Sequence, residues 1–416
     1  MNTIRLPQLA WYGTKELELP VPDSWQVEVC SMAGYDRPPM KSGEIKASIV
    51  NLIGVPPVRE LARGKNEVVI IFDDMTRITR IAEIVPFVLQ ELAEAGIPDD
   101  RIRFIIASGT HGVANRLDFV KKLGEETVAR FPVYNHSPFN NCTYVGTTSY
   151  GTDICVNAEV MHCDLKIAIG SVSPHPYTGF GGGGKIILPG VSSMETIEHF
   201  HRVQGEFQQK YPGKQVTGMG VFDDNPLQLN IAEAVALVGL DVKIDCLFNV
   251  WGETAAIFAG APKPTYEAAV REAKAHYLTP EAKSKSIVIA NTFAKANEAA
   301  IVGLSSAFNA IGHEGGDVVL ICNAPGGQVT HYLLGSFGKT IGGNLRLRVK
   351  IPRHINHLII YTEYPEAAVR DYFKELDRVL FMHSWDDVLQ ALQEFHGGGS
   401  KVTVFPNADV QYFSEA

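Results

Sequence analysis

The feature that most restricts this chain is a recurring one: a short, mostly apolar run, then a polar cluster, then a stretch with helical spacing. Val68–Phe72, Phe104–Ala107 and the LKIAIG segment (165–170) are such runs in the first part. SIVIAN (286–291), DVVLIC (317–322), HLIIYT (357–362) and KVTVF (401–405) are such runs in the last. A strand that is apolar on both faces needs helices over both, so the pattern predicts parallel sheets. The composition turns polar around Leu278–Lys285, which divides the chain into residues 1–278 and 279–416. The expected fold class is α/β in two domains, the second a doubly wound sheet, with the active site in the cleft between them. Alternation in TIRLPQL, KELELP and SWQVEV predicts short strands in a small sheet at the edge of the first domain. Helices are expected at 44–53, 81–96, 117–124, 226–239, 265–277 and 298–311.

Composition bounds the partners. A formal net charge of -9 argues against nucleic acid and anionic membrane surfaces. The six cysteines contain no C-x-x-C pair and read as reduced thiols of a cytoplasmic protein. The start MNTIRLPQLA has no apolar signal core, and no segment is long and uncharged enough to span a bilayer.

Most of the chemistry is concentrated in Ser173–Arg202. His175 lies between Pro174 and Pro176, which keep it out of a helix and place it on a loop. Gly181, Gly182, Gly183 and Gly184 then lead into Lys185. Such a run makes sense where something approaches the main chain closely. It matches both G-x-x-x-x-G-K and G-x-G-x-x-G, but a phosphate loop needs Ser or Thr after the lysine and a helix opening there. Here Ile186–Gly190 reads as a short strand and a turn, and SVSPHPYT separates the glycines from LKIAIG. The next helix begins near Ser192, with Ser192 and Glu195 as a capping box. Helical spacing puts His201 on the apolar face with Met194 and Ile197, and His199 nearly opposite.

Two more clusters follow apolar runs. DDMTRITR (73–80) reads equally as a helix start or as a site at a strand's carboxyl end, where Arg77 could grip a carboxylate or phosphate. His111 follows its run by a tight S-G-T turn. His136 and His162 read as surface or packing residues, and the loop Asn323–Gly327 as a plain βα turn.

At these residues the chain resembles the lactate racemase family, whose enzymes use a nickel-pincer nucleotide. The resemblance is carried by His175, Lys185 ten positions on, His201 sixteen further, and K-x-x-x-P-G from Lys185 to Gly190. D-x-T-R is met by Asp74, Thr76 and Arg77, with Ile78 where proline is usual. G-x-H is met by Gly109–His111, with Gly112 where arginine is usual. The resemblance implies that Lys185 is covalently joined to the cofactor, that His201 ligates nickel, and that His111 and His175 are the acid/base pair. It implies that Arg77 neutralises a carboxylate or cofactor phosphate, and that Asp74, Thr76 and Gly181–Gly184 hold the cofactor. The family's lysine from the second domain, preceded by glutamine, falls here at Ala299 and Val302, with Lys295 a turn too early.

The implied function is racemisation or epimerisation of a 2-hydroxy acid, one bulkier than lactate. Cofactor-biosynthesis proteins would be partners, and an oligomer is compatible with the chain. No side chain stores a hydride, so a cofactor must, while imidazoles supply bases near neutral pH. Two other readings stand beside it: a nucleotide- or phosphate-binding α/β protein using the GFGGGGK loop non-covalently, and another hydride-transfer reaction such as dehydrogenation.

Overall fold

The structure, a computed structural model, describes residues 2–8, 10–13, 15–213, 215–298, 304–334 and 348–413. Its first large sheet runs Thr254–Gly260, Val242–Phe248, Leu165–Ser171, Val68–Asp73, Ile102–Ala107, Val133–Asn135. All neighbours are parallel except the first pair, a hairpin. Val68–Phe72 is wholly buried, and its side chains divide by strand periodicity. Ile70 and Phe72 pack with the helices Ser42–Val50 and Val85–Glu94 on one face, while Val69 and Ile71 meet Ile187, Leu188 and Ile231 on the other. Each such side chain contributes about 1.5–3 kcal/mol on burial, so the central strand is a rigid base for the loop it feeds.

The second large sheet runs Val379–Met382, Ile355–Tyr361, Gly316–Ile321, Ile287–Asn291, Lys401–Phe405, Gln26–Val29, parallel throughout. It is wound on both faces. Leu304–Ala310 covers Val288, Ala290, Val318 and Leu320, and Trp385–Phe395 covers Ile287, Ile289 and Val319.

Several expectations are corrected. Gln26–Val29 completes the edge of the second sheet, and the hairpin Asn2–Pro7 with Glu16–Val21 buries Leu6, Leu19 and Val21 against that same sheet. The alternation was informative about each strand's two faces, but local pattern does not specify which edge a strand completes. The expected helix 81–96 is a 3-10 turn, Ile81–Glu83, followed by the helix Val85–Glu94. Pro86 sits in the first turn of that helix, where its missing N–H removes no bond. Gly183–Ile186 is a 3-10 turn, where residues 186–190 suggested a strand. The helix expected from Glu298 is described only as Leu304–Ala310; Ala299 and Val302 lie outside the described residues.

Both sheets have a switch point. In the first, the chain runs outward from Val68–Asp73 through Ile102–Ala107, then returns to the other side with Leu165–Ser171. In the second, Ile287–Asn291 and Lys401–Phe405 flank the corresponding place. Crevices open at the carboxyl ends of such strand pairs. Loops from the two sheets meet there: Gly112 N donates to Thr330 O at 3.0 Å, and Tyr332 N to Thr110 O at 2.8 Å. Among the described residues no helix is long and apolar enough to cross a membrane.

Candidate active site

One cavity is lined by the loops after Val68–Asp73, Ile102–Ala107 and Leu165–Ser171, by the helix Met194–Lys210, and by Lys295, Glu298 and His331 from the second half. It brings His111, His175, Lys185, His201, Arg77, Asp74 and Thr76 together.

The loop after Val68–Asp73 is built on a buried ion pair. Lys122, fully buried, donates to Asp73 Oδ1 and to Arg77 O, both at 2.6 Å. The other oxygen of Asp73 accepts from Thr79 Oγ1 and Ser171 N. The loop is therefore pinned to a helix and to the neighbouring strand, and is not a helix start. Asp74 and Thr76 line the cavity and also bond within the protein. Asp74 Oδ1 accepts from Thr76 N and Thr76 Oγ1, and Oδ2 accepts from His111 Nδ1 at 2.5 Å. A buried carboxylate requires donors, and these are the nearest.

His111 has carboxylates at both nitrogens, since Nε2 lies 3.3 Å from Glu298 Oε1. Burial alone would lower its pKa. The charges of Asp74 and Glu298 overcome that and push it up to about 10, so His111 is an imidazolium at neutral pH. Arg77 Nη1 donates to Glu298 Oε2 at 3.0 Å and to Thr76 Oγ1 at 2.7 Å. Among the described residues its Nε and Nη2 carry no hydrogen bond.

His175 is in the opposite state. Burial, then the cations Lys185, Lys295 and Arg77, hold it well below the usual imidazole range. Its Nδ1 accepts from Tyr177 N and Thr178 N at 3.2 and 3.3 Å, and Nε2 faces Lys185 Nζ at 2.8 Å. Burial and the cations Arg77 and Lys295 also hold Lys185 well below the usual lysine range. Lys295 is 1% exposed, and burial and Arg77 bring it down to about 7. Asp409 shapes its loop, since one carboxylate oxygen accepts from the backbone N–H groups of Phe293, Ala294 and Lys295.

His201 lines the cavity. Its Nδ1 lies 2.7 Å from Ile197 O, so the proton sits there and the Nε2 lone pair is free; burial lowers its pKa to about 4. His199 turns away to Thr152 Oγ1 at 2.9 Å. Their helix is capped by Ser193, which accepts from Thr196 N; Ser192 donates to Ile187 O instead.

The glycine run serves two purposes. Gly181 and Gly182 line the cavity. Gly183 and Gly184 do not: a Cβ would lie 2.4 Å from the Tyr266 ring at Gly183 and 2.6 Å from Ile231 and Val235 at Gly184. The close approach there is by the protein itself. Gly183 N donates to both oxygens of Asp245, at 3.1 and 3.2 Å, and Asp245 is paired with the buried Lys243. A carboxylate thus takes the amide that a phosphate cradle would offer, which argues against a phosphate loop.

Sequence reasoning missed Glu298 and His331, which no motif marks. His111, Glu298 and His331 bring ligand atoms within 4.8 Å of one another. The Arg77 guanidinium and the His111 proton already supply positive charge to that spot. Gly326 and Gly327 of the Asn323–Gly327 turn line a second cavity next to this one.

The lactate racemase N-terminal domain family matches residues 12–210. A lactate racemase from Lactiplantibacillus plantarum is 34% identical over 181 residues, 43% of this chain and 42% of that protein. A lactate racemase from Thermoanaerobacterium thermosaccharolyticum is 28% identical over 264 residues, 62% of this chain and 59% of that protein. The matches thus span less than two thirds of either relative. Among solved structures, the lactate racemase apoprotein from T. thermosaccharolyticum superposes over 100% of both chains with TM-score 0.76 at 20% identity. A Thermotoga maritima protein gives TM-score 0.67 at 19% identity, over 90% of this chain and 99% of that one.

Proposed function

Since this chain belongs to the lactate racemase family as a distant homologue, we propose that it is an isomerase that inverts C2 of a 2-hydroxy acid. It does so with a nickel-pincer nucleotide tethered to Lys185. The observation that carries this reading is the pair of cavity histidines held in opposite states: His111 as an imidazolium between two carboxylates, His175 neutral among cations. Environments that drive two titratable groups apart are those that assign acid and base.

The residues present fit the cofactor. A metal-binding imidazole normally donates its other N–H to a carbonyl or carboxylate, as His201 does to Ile197 O. Lys185 is buried, and burial with the neighbouring Arg77 and Lys295 lowers its hold on a proton, which favours the free amine a lysine needs to form a covalent link. Gly181 and Gly182 leave main chain open beside it. When bound, the nickel-pincer group supplies a hydride acceptor that no side chain provides.

The chain's own residues bind, orient and move protons. His175 takes or returns the hydroxyl proton; because Nδ1 accepts from Tyr177 N and Thr178 N, the resting neutral ring carries its proton on Nε2, beside Lys185, and it becomes a base there only when that proton has moved to Nδ1. His111 does so for the opposite hand, from the charged side of its equilibrium. Asp74 and Glu298 orient His111, and the free nitrogens of Arg77, with Lys295, receive the substrate carboxylate. The buried setting strengthens each of these contacts and keeps water from the reacting centre.

The test is to produce the protein alongside the cofactor-making enzymes, measure intact mass and nickel, map the modified peptide, and follow inversion of enantiopure 2-hydroxy acids by chiral chromatography. A nickel-containing adduct on Lys185 with inversion at C2 is expected. An unmodified, metal-free chain under conditions that load a known family member would overturn the proposal.

A further inference from the structure

Glu298 stands where two working groups of the cavity meet. Its Oε2 accepts from Arg77 Nη1 at 3.0 Å, and its Oε1 lies 3.3 Å from His111 Nε2. The side chains of Glu298 and His111 are each 11% exposed and that of Arg77 18%, so the contacts are largely shielded from water. Asp74 holds the other nitrogen of the His111 ring, Nδ1. Both ring nitrogens thus face carboxylates, and the ring reaches a substrate hydroxyl only when one carboxylate gives way.

The two carboxylates are not held alike. Asp74 is fixed on its own loop, where Oδ1 accepts from Thr76 N at 3.0 Å and from Thr76 Oγ1 at 2.5 Å. Among the described residues, the carboxylate of Glu298 is held by Arg77 and His111 alone. Glu298 is therefore the one that yields. Arg77 shows what moves it, because its Nε and Nη2 are open to the substrate carboxylate and Lys295 lines the same cavity. A carboxylate on that edge sets a second anion beside Glu298, and like charges repel strongly in a buried site.

A 2-hydroxy acid carries its hydroxyl on the carbon next to the carboxylate. The molecule that repels Glu298 thus also offers His111 Nε2 an acceptor in its place. A plain carboxylate repels Glu298 but leaves that N–H without an acceptor, and a buried donor left unpaired is costly.

We propose that Glu298 is a built-in stand-in for the substrate: it holds Arg77 and His111 until a 2-hydroxy acid displaces it, and this exchange favours acids that carry the 2-hydroxyl. Glu298 is then a specificity-determining residue and not a fixed support. The inference rests on the reading of this cavity as the seat of a 2-hydroxy acid.

The experiment uses glycolate, the smallest 2-hydroxy acid, and acetate, which lacks only the hydroxyl. Binding is measured by ligand-observed NMR on the cofactor-loaded protein and on the protein without cofactor. The ring signals of ¹⁵N-labelled His111 are followed in the same titrations, assigned by their loss in His111→Gln. Glu298→Gln is expected to bind glycolate about tenfold tighter than the wild type, the scale of one charge-assisted contact no longer broken. In the wild type, glycolate should bind tighter than acetate and should shift the His111 signals towards their positions in Glu298→Gln, while acetate leaves them in place. Glu298→Ala serves as a second variant, and the response of the wild-type ring to the two acids needs no variant. Equal or weaker glycolate binding in the variants, which a supporting role for Glu298 requires, would overturn the inference. So would a wild-type ring that glycolate does not move, or moves no more than acetate does, and so would glycolate binding to neither form. If the loaded enzyme inverts a 2-hydroxy acid while any of these holds, this inference falls and the racemase reading stands. If it inverts none, the racemase reading falls, whatever glycolate does.

Discussion

Replacing Asp74 by Asn tests the electrostatics of the site directly. His111 Nδ1 sits 2.5 Å from Asp74 Oδ2, and its pKa stands at about 10 against an ordinary 6.5. At about 1.4 kcal/mol per tenfold change in proton affinity, that difference sets an upper limit of roughly 5 kcal/mol. Asp74 and Glu298 share it, and Asp74 contributes the larger part. Asparagine keeps an acceptor for Thr76 and removes the charge, so about 2–3 kcal/mol of stability at neutral pH should be lost. The sign follows from the direction of the shift. A histidine whose folded pKa lies above its unfolded one contributes fully below about pH 6.5, and the contribution is lost as pH rises through about 10. Wild-type stability to urea should therefore decline across that window, and in D74N the decline should move towards 6.5. The assay is urea unfolding at a series of pH values, paired with NMR of ¹⁵N-labelled histidine rings. A wild-type His111 that titrates near 6.5, or a D74N curve that overlays the wild type, would refute the reasoning.

Other outcomes are expected from single substitutions. Lys185→Ala should abolish the mass adduct, whereas His111→Ala and His175→Ala should keep the adduct and lose turnover; full activity in either histidine variant would exclude the two-base scheme. His201→Ala should lose nickel and His199→Ala should retain it, read by metal analysis, because only His201 faces the cavity. Lys122→Met leaves Asp73 buried without its cation and should cost about 3–5 kcal/mol in urea unfolding, with much of that recovered when Asp73→Asn is added.

Where the site was legible in the sequence, the reason was local. His175, Lys185 and His201 lie on one short stretch, and Asp74, Arg77 and His111 directly follow apolar strands, so motif and strand end coincide. Glu298 was illegible because its partner Arg77 is 221 residues away and no pattern links them. Lys295 lies a turn before Ala299 and Val302, where the family's second-domain pair falls. The backbone makes the 3-10 turn Ala296–Glu298, and Asp409 gathers the amides before it. The glycine run was legible as a place of close approach, but sequence could not show that Tyr266 and Ile231 would be what approaches. Likewise, either of two adjacent serines could cap the histidine helix, and the neighbouring turn, by engaging Ser192, leaves the cap to Ser193.

The backbone stitch between Thr110–Gly112 and Thr330–Tyr332 ties acidity to shape. Any motion that parted the two sheets at this point would break both bonds and carry Glu298 away from His111. The imidazolium would then lose one of its two counter-charges, and its hold on the proton would weaken. By linkage, taking the proton off His111 loosens the clasp as much as loosening the clasp releases the proton. The protonation of one ring therefore reports how far the two halves have closed on their contents.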